Sequence, residues 1–396
     1  MISEEEDQVS QEQWAAYQAW RERNLPTAQS VAERYASALK GLDPSVPWEE
    51  VQSQAADRTR EHFSPPAGAA SVPYWRMTMY APIYVANYCS NVCKYCGFRA
   101  PAQIVRRHLT PDEAVLESDL LFEHGFRNQL FLTGEDPQRA TSEYLCEIVR
   151  RVVAKGRNPS VEIPPQSEEH YRSLAEAGVT SVTLFQETYN ESLYTDYHPR
   201  GPKSHYRWRL GSQERGLAGG LQRVGFGFLV GLAPAYEELL AMMAHATYLM
   251  EKYPDRSFAF ALPRIREAPD GFTIPYPASD DQFRRMYAVL RLAFPESESV
   301  ISVREPAQMR NELCRTCLTQ ISAGSRTNPG GYAEEEAIAA GRSALHTSEQ
   351  FPTTDNRTPR EVYDWLQETG FHVCGVPVSN GNAAVPGFKT SVVRGG

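Results

Sequence analysis

The chain has 396 residues, 41% of them hydrophobic, and can therefore bury a large core. Forty Lys and Arg residues against 49 Asp and Glu give a net charge of −9 without a basic block, which argues against nucleic acid as a partner. No run of about 18 apolar residues occurs, so no membrane-spanning helix is expected. The acidic start, "MISEEEDQVS", lacks the pattern of a signal peptide and predicts a cytoplasmic protein.

The first part of the chain has helical periodicity. The stretches "EQWAAYQAWRERN" and "PSVPWEEVQSQAADRTREHF" space their apolar residues three and four apart, which predicts helices. The Pro- and Ala-rich stretch "SPPAGAASVP", residues 64–73, is typical of a linker. We therefore predict an N-terminal helical extension over residues 1–73.

A different sequence pattern begins at residue 74, in which short apolar runs alternate with amphipathic helical stretches. The eight runs are "YAPIYVAN", "NQLFLTGE", "SVEIP", "SVTLFQET", "VGFGFLVGL", "FAFALPRI", "SVISVRE" and "TQISAGS". This α/β alternation predicts a parallel (βα)8 barrel of the TIM type over residues 74–345. A doubly wound open sheet alternates in the same way and remains an alternative. A helix, "TPREVYDWLQETGF", and a tail are expected within residues 346–396.

Polar residues stand at or near the C-terminal ends of most of these runs. Parallel strands are buried on both faces, so a charge there is costly unless it is paired or lines a site. In barrels the active site lies at this end of the strands. The residues concerned are Asn87, Glu135, Glu162, Gln186, Glu187, Arg264, Arg304, Glu305 and Ser322.

Three of the seven cysteines lie in one stretch, "YCSNVCKYCGF". Cys89, Cys93 and Cys96 follow the first predicted strand with the spacing CxxxCxxC. A structural zinc site would want a fourth ligand nearby, and a disulfide would leave one thiol over in a reducing compartment. Three thiolates on a tight loop suit a [4Fe–4S] cluster with one iron open for a ligand. A scaffold or electron-transfer role for such a cluster is the alternative to catalysis.

This cysteine motif, with Tyr95 just before the third cysteine, resembles that of the radical S-adenosylmethionine (SAM) enzymes. The resemblance implies one [4Fe–4S] cluster held by Cys89, Cys93 and Cys96, with SAM on the open iron. It also implies a 5′-deoxyadenosyl radical as the reactive species. An electron donor such as flavodoxin or ferredoxin would then be a partner.

Longer motifs resemble one branch, the aromatic amino-acid lyases. These motifs are "FLTGE", "FQETYNESLYTDYHPRGPKSHYRWRL", "LPRIREAP", "SVREP" and "SAGSRTNPGGY". The branch includes 2-iminoacetate synthase (tyrosine lyase), the tyrosine-cleaving maturase of iron-only hydrogenase and, less similar, the tryptophan lyase of nosiheptide biosynthesis. The maturase carries a second cluster on C-terminal cysteines, whereas this chain has Cys374 alone in that region.

The resemblance assigns residues to the substrate. A substrate carboxylate in a dry barrel needs a fixed cation, and the planar fork of an arginine suits it. Arg304 is at the position that holds this carboxylate in the family. Ser322 and Tyr84 resemble the partners of the rest of the amino-acid head. An ion pair of Arg304 with Glu305 is the structural alternative.

The resemblance also assigns residues to SAM. Thr133, Gly134 and Glu135 match the motif that receives its amino group, and Glu187 and Arg209 match partners of its ribose and carboxylate. Tyr95 belongs with this group. Arg264 and Arg266 are site candidates without a role, and Cys314 and Cys317 are either a redox or metal pair or two half-buried helix cysteines.

The expected reaction is cleavage of the Cα–Cβ bond of L-tyrosine to p-cresol and 2-iminoacetate. Tryptophan or another aromatic amino acid is the alternative substrate. The missing second-cluster motif predicts that the glycine fragment is released, or passed to an acceptor enzyme, without conversion to cyanide and carbon monoxide.

Overall fold

The computed structural model describes residues 3–24, 28–66, 69, 72–268, 271–342 and 349–374. Its strands are β1 (Arg76–Ala86), β2 (Asn128–Thr133), β3 (Asn158–Glu162), β4 (Ser181–Thr183), β5 (Arg223–Phe226), β6 (Ser257–Ala261), β7 (Glu298–Ile301), β8 (Gln320–Ser322) and β9 (His372–Cys374). The first eight pair in parallel and in chain order, and β1 pairs with both β2 and β8. The sheet is therefore a closed barrel, which confirms the predicted fold and excludes the open sheet.

Helices surround the barrel and extend beyond it. They are α1 (Glu4–Asn24), α2 (Ala28–Arg34), α3 (Ala36–Leu39), α4 (Trp48–Phe63), α5 (Pro111–Glu123), α6 (Ser142–Ala154), α7 (Glu168–Ala177), α8 (Glu191–Tyr197), α9 (Tyr206–Leu210), α10 (Ser212–Ala218), α11 (Ala235–Lys252), α12 (Asp280–Ala293), α13 (Ala307–Thr316), α14 (Gly331–Ala339) and α15 (Pro359–Thr369). Two short 3-10 helices, Lys40–Leu42 and Pro202–Ser204, complete the set. No helix in the described ranges is long and apolar enough to cross a membrane.

Local sequence signals set where the helices around the barrel begin. Thr110, Ser279 and Thr358 precede α5, α12 and α15, and the hydroxyl of each accepts the backbone N–H three residues later. The Glu or Gln at that third position binds back to the capping residue, which completes a capping box. These caps satisfy N–H groups that would otherwise lack partners at the helix start.

The N-terminal helices pack on the outside of the barrel. Helix α1 lies against α9 and α11, and α4 lies against α12 and α13. The Trp20 indole donates to the Glu251 carboxylate at 2.7 Å, and the Arg285 guanidinium donates to the carbonyls of Gly41 and Val46, each at 3.0 Å. The predicted helical character of this segment is confirmed, while the division of the chain into three parts at residues 73 and 345 stays a prediction.

Some elements were not predicted from the sequence. Strand β9 is three residues long and pairs with Arg76–Thr78 at the start of β1, outside the barrel ring. The sequence periodicity does not predict helices α8, α9 and α14. The tail that follows Cys374, and part of the stretch "TSEQFPTTDNRTPREV", lie outside the described residues.

Candidate active site

A cavity of about 930 Å³ occupies the barrel interior. Inward-facing residues from all eight barrel strands line it, together with the loops at the C-terminal strand ends. The predicted site residues among its lining are Tyr84, Tyr95, Cys96, Glu187, Arg304 and Ser322. The cavity therefore extends to the cysteine loop on one side and to the end of β7 on another.

The cysteine loop follows β1 and is held by its neighbours at several points. The Arg106 guanidinium donates to the backbone carbonyls of Phe98 (2.8 Å) and Arg99 (2.7 Å), and to that of Asn87. The Asn91 side-chain carbonyl accepts the N–H of Lys203 at 2.8 Å. Because these anchors come from outside the loop, its conformation does not depend on a bound metal alone.

The three cysteine thiols lie close enough to influence one another. Burial raises the pKa of Cys89 and of Cys93, and the negative charge of a Cys96 thiolate would raise both pKa values further. Such thiols are poor ligands until they lose their protons to a metal. The Lys203 ammonium lies near Cys93 and favours its thiolate.

The number of thiols in the loop favours a cluster over a structural zinc ion. Cys89, Cys93 and Cys96 supply three ligands. A structural zinc ion takes four protein ligands, whereas a four-iron cluster can be held by three cysteines with one iron left open. The loop therefore fits a cluster better than a structural zinc ion.

The segment after β2 lies against the cysteine loop. A Cβ at Gly134 would come within 2.2 Å of the Tyr88 carbonyl oxygen, so only glycine allows this approach. The Glu135 carboxylate accepts from Asn91 Nδ2 at 2.7 Å. The Thr133 hydroxyl is buried and has no hydrogen-bond partner among the residues that the structure describes, which leaves it available to a ligand. Thr133, Gly134 and Glu135 thus border the loop but do not line the cavity.

Glu187 is the centre of an ion-pair network at the end of β4. Its Oε1 accepts from Lys203 Nζ at 2.6 Å and from Arg209 Nη2 at 3.1 Å. Burial alone would raise the pKa of Glu187, but these two cations lower it to about 2. Its φ of 71° is left-handed, a strained conformation for a residue other than glycine that is common at functional sites. The predicted SAM-binding residues Glu187 and Arg209 are therefore in direct contact, and Lys203, to which the sequence assigns no role, binds the same carboxylate oxygen.

Tyr95 is fixed by a histidine behind it. The Tyr95 hydroxyl lies 2.7 Å from His198 Nε2, and His198 Nδ1 lies 2.7 Å from the Tyr194 carbonyl. Burial lowers the pKa of His198 to about 3, so the ring is neutral. Since a carbonyl only accepts, Nδ1 carries the proton and the Tyr95 hydroxyl donates to Nε2.

Arg304 presents an unpaired guanidinium to the cavity. Within the described residues its guanidinium makes no ion pair or hydrogen bond, and it stacks on the Phe351 ring, with its central carbon 3.4 Å from the ring centre. Glu305 instead binds Arg264 Nε at 3.0 Å and Arg266 Nη1 at 2.9 Å. The structural alternative for Arg304 is thus wrong, and the two arginines without an assigned role have a structural partner.

Phe351 belongs to a segment, residues 349–355, that we call the strap. Burial and the nearby Glu162 carboxylate raise the pKa of Tyr84, so its hydroxyl keeps its proton and donates to Gln350 Oε1 of the strap at 2.7 Å. The strap is anchored to Thr327 by the Gln350 N–H at 3.0 Å. It therefore contacts two of the three predicted substrate-binding residues.

The third of these, Ser322, is at the end of β8. Its hydroxyl is buried beside that of Tyr80 but lacks the geometry of a hydrogen bond to any partner in the described chain. Buried hydroxyls normally have a partner, so this one has capacity for a ligand. Tyr84, Arg304 and Ser322 all face the same cavity, as the sequence predicted for a single site.

Cys314 and Cys317 lie on α13 and just after it, and both are fully buried. Burial raises the pKa of each thiol to about 12. Redox and metal chemistry require the thiolate, so the structure favours packing for this pair.

Two protein-family models match parts of the chain, and curated relatives cover most of it. Residues 83–243 match the Radical SAM superfamily, and residues 261–372 match the Biotin and Thiamin Synthesis associated domain. The chain is 30% identical over 295 residues to 2-iminoacetate synthase of Escherichia coli and 29% identical to that of Salmonella typhimurium, in each case over 74% of this chain and 76% of the relative.

Solved structures give a similar result. The [FeFe]-hydrogenase maturase HydG from Carboxydothermus hydrogenoformans superimposes with a TM-score of 0.75 at 28% identity, over 95% of this chain and 85% of that one. A second HydG structure gives a TM-score of 0.75 at 29% identity, over 93% of this chain and 79% of that one. Methylornithine synthase, at 18% identity and a TM-score of 0.59, shares the fold.

Proposed function

Since this chain belongs to the radical SAM family that contains 2-iminoacetate synthase, we propose that it cleaves the Cα–Cβ bond of L-tyrosine to p-cresol and 2-iminoacetate. Similarity to enzymes of that name over three quarters of their length supports the reaction class. The choice of tyrosine rests on the motifs "FQETY" and "SAGSRTNPGGY".

In this proposal Cys89, Cys93 and Cys96 hold one [4Fe–4S] cluster. The cluster and SAM, when bound, supply a 5′-deoxyadenosyl radical, with the electron coming from a donor such as flavodoxin or ferredoxin. Arg106 holds the cysteine loop in place through its hydrogen bonds to the backbone carbonyls of Phe98 and Arg99.

A second group of side chains is proposed to bind SAM. Thr133 and Glu135 border the cysteine loop, and the buried Thr133 hydroxyl has capacity for a further hydrogen bond. Glu187, ionised at any working pH, offers its second oxygen to a ribose hydroxyl. Arg209 supports Glu187, and Tyr95 presents a ring that His198 holds in one orientation.

The unpaired Arg304 carries the proposal for the substrate. Arg304 is half-buried, and a guanidinium without a counter-ion inside a barrel is costly, so its position favours a ligand that brings a carboxylate. Phe351 holds the guanidinium plane from one side and leaves its N–H edge free for this carboxylate. Ser322 and Tyr84, from β8 and β1, would contact the remaining polar atoms of the amino-acid head.

Orientation decides which hydrogen the radical removes. The benzylic C–H of tyrosine is the weaker bond, so cleavage of Cα–Cβ requires that the amino nitrogen be held nearer to the reactive carbon. A head group fixed between Arg304 and Ser322 would leave the side chain little freedom to present its benzylic carbon. The glycine fragment then leaves as 2-iminoacetate, which hydrolyses to glyoxylate and ammonia unless an acceptor enzyme takes it.

Product analysis tests the function. An anaerobic reaction of reconstituted enzyme with reductant, SAM and tyrosine should form p-cresol and 5′-deoxyadenosine together, as measured by chromatography. Parallel reactions with tryptophan and phenylalanine serve as matched controls. An indole product from tryptophan and none from tyrosine would refute the substrate and keep the radical class. A cluster spectrum that SAM does not alter would instead favour an electron-transfer protein.

A further inference from the structure

Glu162, the last residue of β3, lines the cavity without a partner. Within the part of the chain that the structure describes, its carboxylate makes no hydrogen bond or ion pair. Glu187 and Glu305 also line the cavity; they are buried, whereas Glu162 is half-buried, and both are bound to cations. Glu162 is therefore available to a ligand in a way that these two are not.

The topology places Glu162 opposite Arg304. In a closed ring of eight strands, β3 and β7 are four strands apart in either direction, so they face each other across the interior. Arg304 follows β7 and Glu162 ends β3. The two side chains attract each other electrostatically but form no ion pair, so a gap remains between them.

A gap between one free cation and one free anion matches the head of a zwitterionic amino acid. We propose that Glu162 binds the α-ammonium group of the substrate, whose carboxylate lies on Arg304, and accepts one of its protons. This inference rests on the proposed function and adds a catalytic residue to it. The proton leaves the nitrogen as the carboxylate becomes a carboxylic acid, and no electron moves in the step.

The reaction needs such an acceptor. Removing a hydrogen atom from nitrogen requires the neutral amine, because an ammonium nitrogen has no lone pair to stabilise the resulting radical. Tyrosine enters the site mainly as a zwitterion near neutral pH, so the ammonium has to lose its proton inside the cavity. Backbone register places Glu162 level with Leu132 and Tyr84, in the layer of the proposed substrate head.

The electrostatic surroundings suit a group that takes up a proton and releases it again. Burial raises the pKa of Glu162 to about 7, with Glu187 adding to this, while Arg304, Arg209 and Lys203 oppose it. Tyr84 and Tyr80 also face the carboxylate, as neutral phenols. A base whose pKa is near the working pH exchanges protons with least cost in either direction.

Binding measurements on the holoenzyme with SAM test the inference without turnover. Wild type should bind tyrosine more tightly than 3-(4-hydroxyphenyl)propionate, which lacks the amino group, by about 10- to 100-fold. The Glu162→Gln variant should bind the two with similar affinity, because its neutral amide cannot pair with the ammonium. A variant that keeps the wild-type discrimination would overturn the inference.

Kinetics provide the second measurement. In wild type, kcat/KM for tyrosine should fall as pH drops below about 7, because the carboxylate becomes protonated. In Glu162→Gln, kcat/KM should be much lower than in wild type and should no longer fall at acidic pH. Glu162→Asp should restore part of the rate and part of the pH dependence. An unchanged rate and profile in Glu162→Gln would also overturn the inference.

Glu117 offers a matched control. Burial raises the pKa of this carboxyl to about 7 as well, but it accepts the N–H groups of Tyr332 (3.1 Å) and Ala333 (2.7 Å) at the start of α14. Glu117→Gln should keep the wild-type discrimination and pH profile. If wild type turns over no aromatic amino acid, the proposed function fails, whereas the binding comparison still decides for or against Glu162.

Discussion

The two ends of the barrel cavity are both polar, but they differ in how their charges are satisfied. The lower end is formed by the N-terminal ends of the strands, where Arg223, Glu298 and Gln320 begin β5, β7 and β8. There Glu298 accepts from Gln320 at 2.7 Å and pairs with Arg223. At the upper end, which is formed by the C-terminal ends of the strands, Arg304, Glu162 and Ser322 have no such partners among the described residues.

This difference separates structure from function in one cavity. Charges that satisfy each other stabilise the barrel, whereas charges without partners are available to a ligand. Variants at the upper end should therefore lose activity with little change in stability, and variants at the lower end should do the reverse.

The largest expected effect is at the cysteine loop above the upper end. Cys93→Ala should remove the cluster, so iron content should fall from about four per chain to near zero and SAM cleavage should stop. Cys314→Ala, at a buried thiol outside the cavity, should retain the iron. Around eight irons per chain, lost on changing Cys314, would contradict the assignment of one cluster.

Arg304→Ala should have the next largest effect. Loss of a charge-assisted pair with the substrate carboxylate should lower kcat/KM for tyrosine by about 100-fold, or about 3 kcal/mol. Slow SAM cleavage without tyrosine should persist, since the cysteine loop is anchored elsewhere. Loss of iron or a large fall in melting temperature would show that Arg304 is structural.

Glu298→Gln tests the lower end. It leaves the Arg223 guanidinium without a counter-ion inside the barrel, which should lower the free energy of unfolding by about 2 kcal/mol. Denaturant melts measure this loss, while kcat for tyrosine should stay within a factor of about two of wild type. A loss of kcat with unchanged stability would mean that the catalytic site extends to the lower end of the cavity.

The smallest effect is expected in the strap. Phe351→Leu keeps an apolar contact but removes the stacking surface under the Arg304 guanidinium, a loss of about 1 kcal/mol. KM for tyrosine should rise about five-fold with kcat nearly unchanged. An effect as large as that of Arg304→Ala would indicate that Phe351 contacts the substrate ring directly.

The barrel could be predicted from sequence because its signals are local. Each of the eight strands is part of a short apolar run, and each of the capping boxes of α5, α12 and α15 is a residue pair three positions apart. The pairing of charges could not be predicted in the same way. "PRIRE" and "SVREP" look alike as sequence, yet Glu305 binds Arg264 and Arg266 from another strand and leaves its neighbour Arg304 free.

The same reason explains the residues that sequence reading missed. Lys203, His198 and Arg106 act through contacts that no short sequence pattern encodes, such as the bond between His198 and Tyr95 on separate loops. Lys203 and His198 lie in a motif that resembles the family, whereas Arg106 does not. Glu162 is visible in the sequence as a polar strand end, but only the structure shows that its carboxylate, unlike those of Glu187 and Glu305, has no cation partner among the described residues.

The position of the strap along the chain has a consequence for synthesis. A ribosome that has released residues up to 342 has already made the three cysteines proposed to hold the cluster and all eight barrel strands, but not Gln350 or Phe351. The groups for radical chemistry are thus encoded ahead of the segment that contacts Tyr84 and Arg304. A prematurely terminated chain would therefore carry the residues proposed for SAM cleavage without the strap. Insertion of the cluster only after synthesis is complete would prevent SAM cleavage by such incomplete chains.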